Sequence, residues 1–143
     1  MSYVKAWIHI VCDTKNRDPI ISKEIRAQIC VHIKEYAKTK DIFIYGINGY
    51  NDHIHLLIAL SAEQSISKVV NLIKGESSHW INENKLTNTK FSWADEYYAG
   101  SIGESQLTTV INYINNQSEH HRVKSFKEEC EEFLRVYGFR NQG

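Results

Sequence analysis

The sequence predicts an α+β domain of the split βαβ type, a four-stranded antiparallel sheet with two helices on one face and further helices at the C-terminal end. Three observations lead there. Short segments with a two-residue apolar period alternate with segments of helical period in the order β-α-β-β-α-β. The middle two strand segments are separated only by turn-forming residues, as in a hairpin. The chain has 143 residues, a single proline and no Gly/Ser-rich linker, so residues 1–143 read as one domain with one core.

Each element has its own signal. In YVKAWIHIVC at 3–12, Val4, Ala6, Ile8 and Ile10 face one side and Lys5, Trp7 and His9 the other, which is strand alternation. DTKNRDP at 13–19 is a polar loop. Ser22 is a good N-cap, and Ile25, Ile29, Ile33 and Tyr36 then recur at helical spacing to about Lys38. DIFIYGIN at 41–48 is a second strand, Gly49 and Asn51–Asp52 supply a turn, and HIHLLIAL at 53–60 is the third strand. Ile66, Val69, Val70, Ile73, Ser77, Trp80 and Ile81 make an apolar stripe on a helix from about Ser65 to Asn84. The stretch from Asn84 to Asp95 reads as a loop, and EYYAGSI at 96–102 as a short fourth strand. A helix follows from about Glu104 to His121, with Leu107, Val110, Ile111 and Ile114 on one face. Ser125 and Glu128, at capping-box spacing, open a last helix to about Tyr137. This order is the ferredoxin-like, RRM-like sandwich, whose second sheet face is left free for a site or for the trailing helices.

Composition narrows the function classes. Lys plus Arg and Asp plus Glu are 17 each, so bulk charge gives no argument for a polyanionic partner. Positive charge is only local: Lys15 and Arg17, Lys68 and Lys74, and HHRVKSFK at 120–127, which the acidic run at 128–132 cancels in the count. Cys12, Cys30 and Cys130 are odd in number and far apart, which fits a reducing compartment and neither a disulfide frame nor a zinc site. The N-terminal stretch lacks a signal-peptide pattern and no apolar run approaches a membrane span, so the expected location is the cytoplasm, with no membrane partner.

Two stretches carry chemistry. In NDHIHLLI, His53 and His55 share one face of the third strand while Ile54, Leu56 and Ile58 take the other. The apolar residues belong under the helices, so the histidines project from the open face, where two imidazoles on a rigid strand can hold one divalent cation. By itself such a pair is common and usually binds nothing, and no cysteine or carboxylate at ligand spacing completes a zinc set. The second stretch is YINNQSEHH at 113–121. Tyr113 and Gln117 are four apart on a helix face well off the aliphatic stripe, so this helix, packed on the open sheet face, would bring a phenol and an amide toward His53 and His55. Alone, Tyr113 would read as a surface tyrosine and Gln117 as a solvated helix residue. A phenol is a weak nucleophile at neutral pH, and a metal ion that polarises a phosphate helps it. Two imidazoles, an amide oxygen and substrate oxygens suit Mg²⁺ or Mn²⁺, with Mn²⁺ better matched to nitrogen.

Taken together these residues resemble the Y1 transposases of the IS200/IS605 type, the HUH (His-hydrophobe-His) single-strand DNA transposases, to which the REP-associated tyrosine transposases are close relatives. WIHIVCDTKNR at 7–17 is similar to the family's opening strand and Lys/Arg loop, NDHIHLLI to its histidine motif, and NLIKGESSHWIN at 71–82 to its Lys-x-x-Ser-Ser helix. FSWADEYYAGSIG at 91–103 and YINNQSEHHRVKSFKEECEEFL at 113–134 continue the match in order. Two departures are Asn51, where the family commonly has Pro, and Glu96, where it often has Gly. Neither is a proposed catalytic position.

The resemblance implies a function and roles. His53, His55 and Gln117 become ligands of Mg²⁺ or Mn²⁺, and Tyr113 the nucleophile. It would cleave single-stranded DNA at hairpin-flanked ends through a 5′-phosphotyrosine and rejoin it. The family implies a homodimer in which one subunit's tyrosine helix can complete the other's site, in a bacterial cytoplasm and on the nucleoid when DNA-bound. Lys15, Arg17, Lys74, Arg122 and Lys124 suit a phosphate track as a set, although each alone reads as a solvated charge, as does Lys68. Lys74 stands out because the Lys-x-x-Ser-Ser similarity reaches it. Trp93 and Tyr98, in or near a loop, are candidates to stack on unpaired bases, whereas Trp80 fits the core stripe. His120 and His121 receive no role. Two alternatives stay open: a non-catalytic single-stranded nucleic-acid-binding module using the same face, and a domesticated REP-associated nuclease with the same chemistry.

Overall fold

In the computed structural model, residues 4–117 and Glu128 are described. The elements are β1 (Trp7–Thr14), α1 (Lys23–Thr39), β2 (Phe43–Tyr50), β3 (His53–Ala59), α2 (Ile66–Glu83), β4 (Trp93–Ile102) and α3 (Leu107–Asn115), with single 3₁₀ turns at Lys15–Arg17 and Glu104–Gln106. The sheet order is β2-β3-β1-β4 and every pairing is antiparallel. The split βαβ arrangement is therefore present. α3 ends at Asn115, short of the expected His121; residues 118–121, the expected helix at 125–137 apart from Glu128, and Arg122 and Lys124 lie outside the described residues.

Local chemistry places the ends. Ser22 accepts a hydrogen bond from the Ile25 amide and Ser65 one from the Lys68 amide, each satisfying an orphan donor of the first turn of α1 and α2. The apolar faces of both helices cover one side of the sheet, where Ile10, Ile54, Leu56 and Ile58 meet Ile29, Ile33, Val70, Ile73 and Ile81 in the main core. Asn82 acts as a clasp between α2 and the chain returning to the sheet. Its Nδ2 donates to the Phe91 carbonyl at 3.0 Å and its Oδ1 accepts from the Phe91 amide at 2.7 Å.

β4 begins at Trp93, three residues before the expected start at 96. The reason is tertiary: Phe91 and Trp93 are both buried, and the Trp93 indole donates to Ser77 Oγ at 2.9 Å, so this segment is core rather than loop. Trp80, expected in the core, lies at its edge, stacked on His32 at 4.0 Å between ring centroids.

The second face of the sheet is covered by α3. Leu57 of β3 joins Ile102, Val110 and Ile114 in a smaller core, with Trp7, Leu107, Ile111 and Tyr113 packed against it. Gly46 of β2 is what lets α3 approach: a Cβ there would stand 2.6 Å from Ile111 Cδ1. β3 is consequently buried on both faces along nearly its whole length. No helix among the described residues is long and apolar enough to cross a membrane.

Candidate active site

The site is built on the turn that opens β3. Gly49 sits where an added Cβ would lie 2.2 Å from the His53 carbonyl oxygen, so only glycine allows β2 to close this tightly on β3. The turn is tied down from outside. The Thr14 amide donates to the Asp52 carbonyl at 2.9 Å, the Ile21 amide to the Asn51 carbonyl at 2.9 Å, and Arg26 Nη1 to Asn51 Oδ1 at 3.3 Å. These bonds fix the backbone from which His53 projects. The buried Arg26 guanidinium has its pKa pushed below the ordinary arginine value by desolvation, and it lies 5.8 Å from the Tyr50 ring centroid.

His53 and His55 point to the same face, as alternation requires, with ring centroids 5.0 Å apart. Both are fully buried, as is Gln117, and His9 is 2 % exposed. Each imidazole has a partner that orients it. The His53 Nδ1–H donates to Asp52 Oδ1 at 2.7 Å, and His55 Nδ1 meets His9 Nε2 at 2.9 Å.

α3 brings Tyr113, and the chain just past its C-cap Asn116 brings Gln117. Asn48 of β2 donates from Nδ2 to the Ile114 and Asn115 carbonyls, at 3.1 and 3.2 Å, and so pins the end of α3 to the sheet. The Tyr113 ring meets His55 edge-on at 5.5 Å between centroids and His9 at 6.3 Å. Gln117 Nε2 donates to the Tyr113 carbonyl at 3.1 Å, which decides the orientation of the amide and turns its oxygen to His53.

That orientation has a chemical consequence. A carboxylate only accepts, so the Asp52 contact places a proton on His53 Nδ1; Nε2 then either carries a second proton and donates to Gln117 or, in the neutral ring, offers a lone pair. Facing it at 3.2 Å is Gln117 Oε1, an acceptor. In the neutral ring both atoms are acceptors, which a cation could bridge. The spacing is close to the edge of an octahedron about a small divalent ion, roughly 3.0 Å for ligand distances near 2.1 Å. The donor set thus fits Mg²⁺ or Mn²⁺. It is a pair of imidazoles plus an amide, and among the described residues no three His, Cys, Asp or Glu side chains form a metal-holding group.

Of the remaining sequence candidates, Lys15, Lys74 and Trp93 line one cleft away from the histidines. Tyr98 pairs with Val11, which pairs with His55, so it stands on the histidine face. Lys15 is exposed on the 3₁₀ turn after β1, and Arg17 Nε lies 4.0 Å from Asp13 Oδ2. Lys74 is on the opposite side of the sheet, where Nζ donates to the Ala94 and Asp95 carbonyls at 2.5 and 3.1 Å. It lines an open cleft of about 540 Å³ with Lys15, Asn16, Gly75 and Ser78. Trp93, expected in or near a loop, instead opens β4: it is 7 % exposed, edge-on to Phe91 and bonded to Ser77, and it lines the same cleft as Lys15 and Lys74.

The residue that sequence reasoning passed over is His9. Its parity on β1 placed it opposite the core, but only the register, in which His9 pairs with Leu57 and Val11 with His55, shows that it is the diagonal neighbour of a proposed ligand.

Comparison with known proteins gives the family and the fold. Residues 2–117 match the family described as "Transposase IS200 like", and the chain belongs to that family. It is 26% identical over 121 residues to the transposase for insertion sequence element IS200 of Salmonella typhimurium, spanning 80% of this chain and 78% of that one, and equally to that of Salmonella typhi. The fold is similar to that of a candidate transposase from Deinococcus radiodurans R1, with a TM-score of 0.66, 20% identity and coverage of 82% of this chain and 95% of the other. It is also similar to a REP-associated tyrosine transposase solved bound to a REP hairpin, with a TM-score of 0.65, 13% identity and coverage of 99% and 90%.

Proposed function

We propose that the chain is a metal-dependent transposase that cleaves and rejoins single-stranded DNA at hairpin-flanked ends through Tyr113. One observation carries the reading: buried His53, His55 and Gln117 and half-buried Tyr113, from stretches far apart in sequence, converge in one cluster. A binding module has no use for a phenol beside two acceptors poised to share a cation. Membership of the IS200-like family and the fold shared with a hairpin-bound tyrosine transposase support DNA as the partner.

His53 and His55 would hold Mg²⁺ or Mn²⁺ through Nε2, with Gln117 Oε1 as third protein ligand. Bound there, the ion supplies electrostatic stabilisation to the oxygens of the phosphate under attack. The rest of the work belongs to the chain. Tyr113 gives up its phenolic proton and its oxygen forms a bond to phosphorus, while the bond from phosphorus to the 3′ oxygen breaks and that oxygen leaves as a hydroxyl. The 5′ side stays on Tyr113 as a phosphodiester, so the energy of the bond is kept and a 3′-hydroxyl can reverse the step without ATP. Asp52 and Asn48 set the angles, the one by orienting His53 and the other by anchoring α3. Because His53, His55 and Gln117 are closed to solvent, the chain at the end of α3 must yield for DNA to reach them. A homodimer in which α3 completes the partner's site is compatible with that movement.

The test is incubation of the full chain with labelled single-stranded DNA carrying hairpins, with and without Mn²⁺. A Mn²⁺-dependent covalent adduct is expected. Hairpin binding with no adduct under any of these conditions would instead favour the non-catalytic module.

A further inference from the structure

Nothing in the reading above uses His9, yet it is one of the most deeply buried polar side chains of the sheet, at 2 % exposure. Its Nε2 lies 2.9 Å from His55 Nδ1, and its ring is tilted 35° to that of His55 at 5.1 Å between centroids. The same ring meets Tyr113 edge-on at 6.3 Å. His9 therefore touches both a proposed ligand and the proposed nucleophile while belonging to neither group.

We propose that His9 is a positioning residue that holds His55 in the tautomer and ring plane needed to ligate a divalent cation through Nε2. The argument is one of proton placement within a single hydrogen bond. Two ring nitrogens 2.9 Å apart share one proton, so one donates and the other accepts. For His55 Nε2 to offer a lone pair to a cation, the His55 proton must sit on Nδ1, and His9 Nε2 must be the acceptor. His9 is then the tautomer with its own proton on Nδ1. The two histidines of the motif would thus be served by different outer partners, a carboxylate for His53 and a neutral imidazole for His55. The purely structural alternative makes His9 a polar filler whose hydrogen bond only satisfies burial.

The inference rests on the metal reading, and the experiment separates the two. Mn²⁺ affinity of the full chain is followed by the loss of the free-ion electron paramagnetic resonance signal. His9→Phe keeps a flat ring and removes the acceptor, whereas His9→Gln keeps an acceptor oxygen. Wild type should bind. His9→Phe should bind about 10–100-fold more weakly, and His9→Gln should recover most of the loss, with thermal unfolding of the metal-free variants showing that both fold. Undiminished binding by His9→Phe, or equal loss in both variants, overturns the positioning role while leaving the metal site intact. If wild type and His53→Ala both fail to bind, the metal reading itself fails and takes this inference with it. Should His9→Phe not fold, ¹⁵N spectra of the imidazoles in Mg²⁺-loaded wild type decide: a proton on His55 Nδ1 is required, and a proton on His55 Nε2 contradicts the proposal.

Discussion

The side-chain oxygen of Gln117 lies 3.2 Å from Nε2 of His53, although 64 residues separate the two in sequence. Neither atom has a proton to offer the other when His53 is neutral and bonded to Asp52. On the proposed function the two atoms share a cation in that state. Replacing Gln117 with Leu, which keeps the volume and removes the oxygen, should weaken Mn²⁺ binding by at least about tenfold. Isothermal titration with Mn²⁺ measures it, and unchanged affinity would remove Gln117 from the ligand set.

Two glycines should respond differently to the same substitution. At Gly49 an added methyl meets the His53 backbone carbonyl at 2.2 Å, which cannot move without shifting the histidine strand. At Gly46 it meets only the tip of Ile111, at 2.6 Å, which can turn aside. Gly49→Ala should cost about 3 kcal/mol and Gly46→Ala about 1 kcal/mol. Urea unfolding of the two variants gives the comparison, and a reversed order would mean that β2 and β3 are not closed in this register.

The cysteines predict an alkaline limit to stability. Burial pushes the Cys12 thiol up to about 12 and the Cys30 thiol to about 11, from an ordinary value of 9.0. Above pH 9 the unfolded chain loses these protons while the folded chain keeps them, so stability present below pH 9 falls as pH rises toward the folded values. The slope should approach about 1.4 kcal/mol per pH unit for each thiol. Urea titrations at several alkaline pH values test this. In a Cys130→Ser background, a disulfide reagent at pH 8 should label Cys12 far more slowly than the half-buried Cys30 until the protein unfolds.

Much of the fold was legible because each element carries its own local signal. Ser22 and Ser65 mark helix starts, Gly49 and Asn51–Asp52 mark the hairpin, and the alternation of His53 and His55 with Ile54 and Leu56 sorts the third strand into two faces. The place of Tyr113 off the aliphatic stripe was readable from helical spacing, whereas the end of α3 at Asn115, before Gln117, was not. What escaped depends on partners distant in the chain. Trp93 looked like a loop residue because its burial is supplied by Phe91 and by Ser77 on α2. Trp80 matched the core stripe, but its ring finds His32 at the rim. His9 had the right parity, but diagonal contact with His55 is a property of register, which strand alternation does not contain.

Asp52 offers a milder perturbation than loss of a ligand. Asp52→Asn keeps the size of the side chain and a carbonyl that accepts from His53 Nδ1, but removes the negative charge that favours a cation on the same ring. Mn²⁺ affinity should drop about tenfold with little change in thermal unfolding, since the bond is partly solvated. An equal affinity would mean that the carboxylate serves only the turn.

The central claim is that Tyr113 forms a covalent bond to DNA with a cation held by His53 and His55. The direct measurement is peptide mass spectrometry of the adduct formed with hairpin-flanked single-stranded DNA and Mn²⁺, alongside Tyr113→Phe. The account predicts a nucleotide attached to the peptide bearing Tyr113, and a Tyr113→Phe variant that still binds the hairpin but forms less than about one-thousandth of the adduct. An adduct on any other residue, or full adduct formation by Tyr113→Phe, would contradict it.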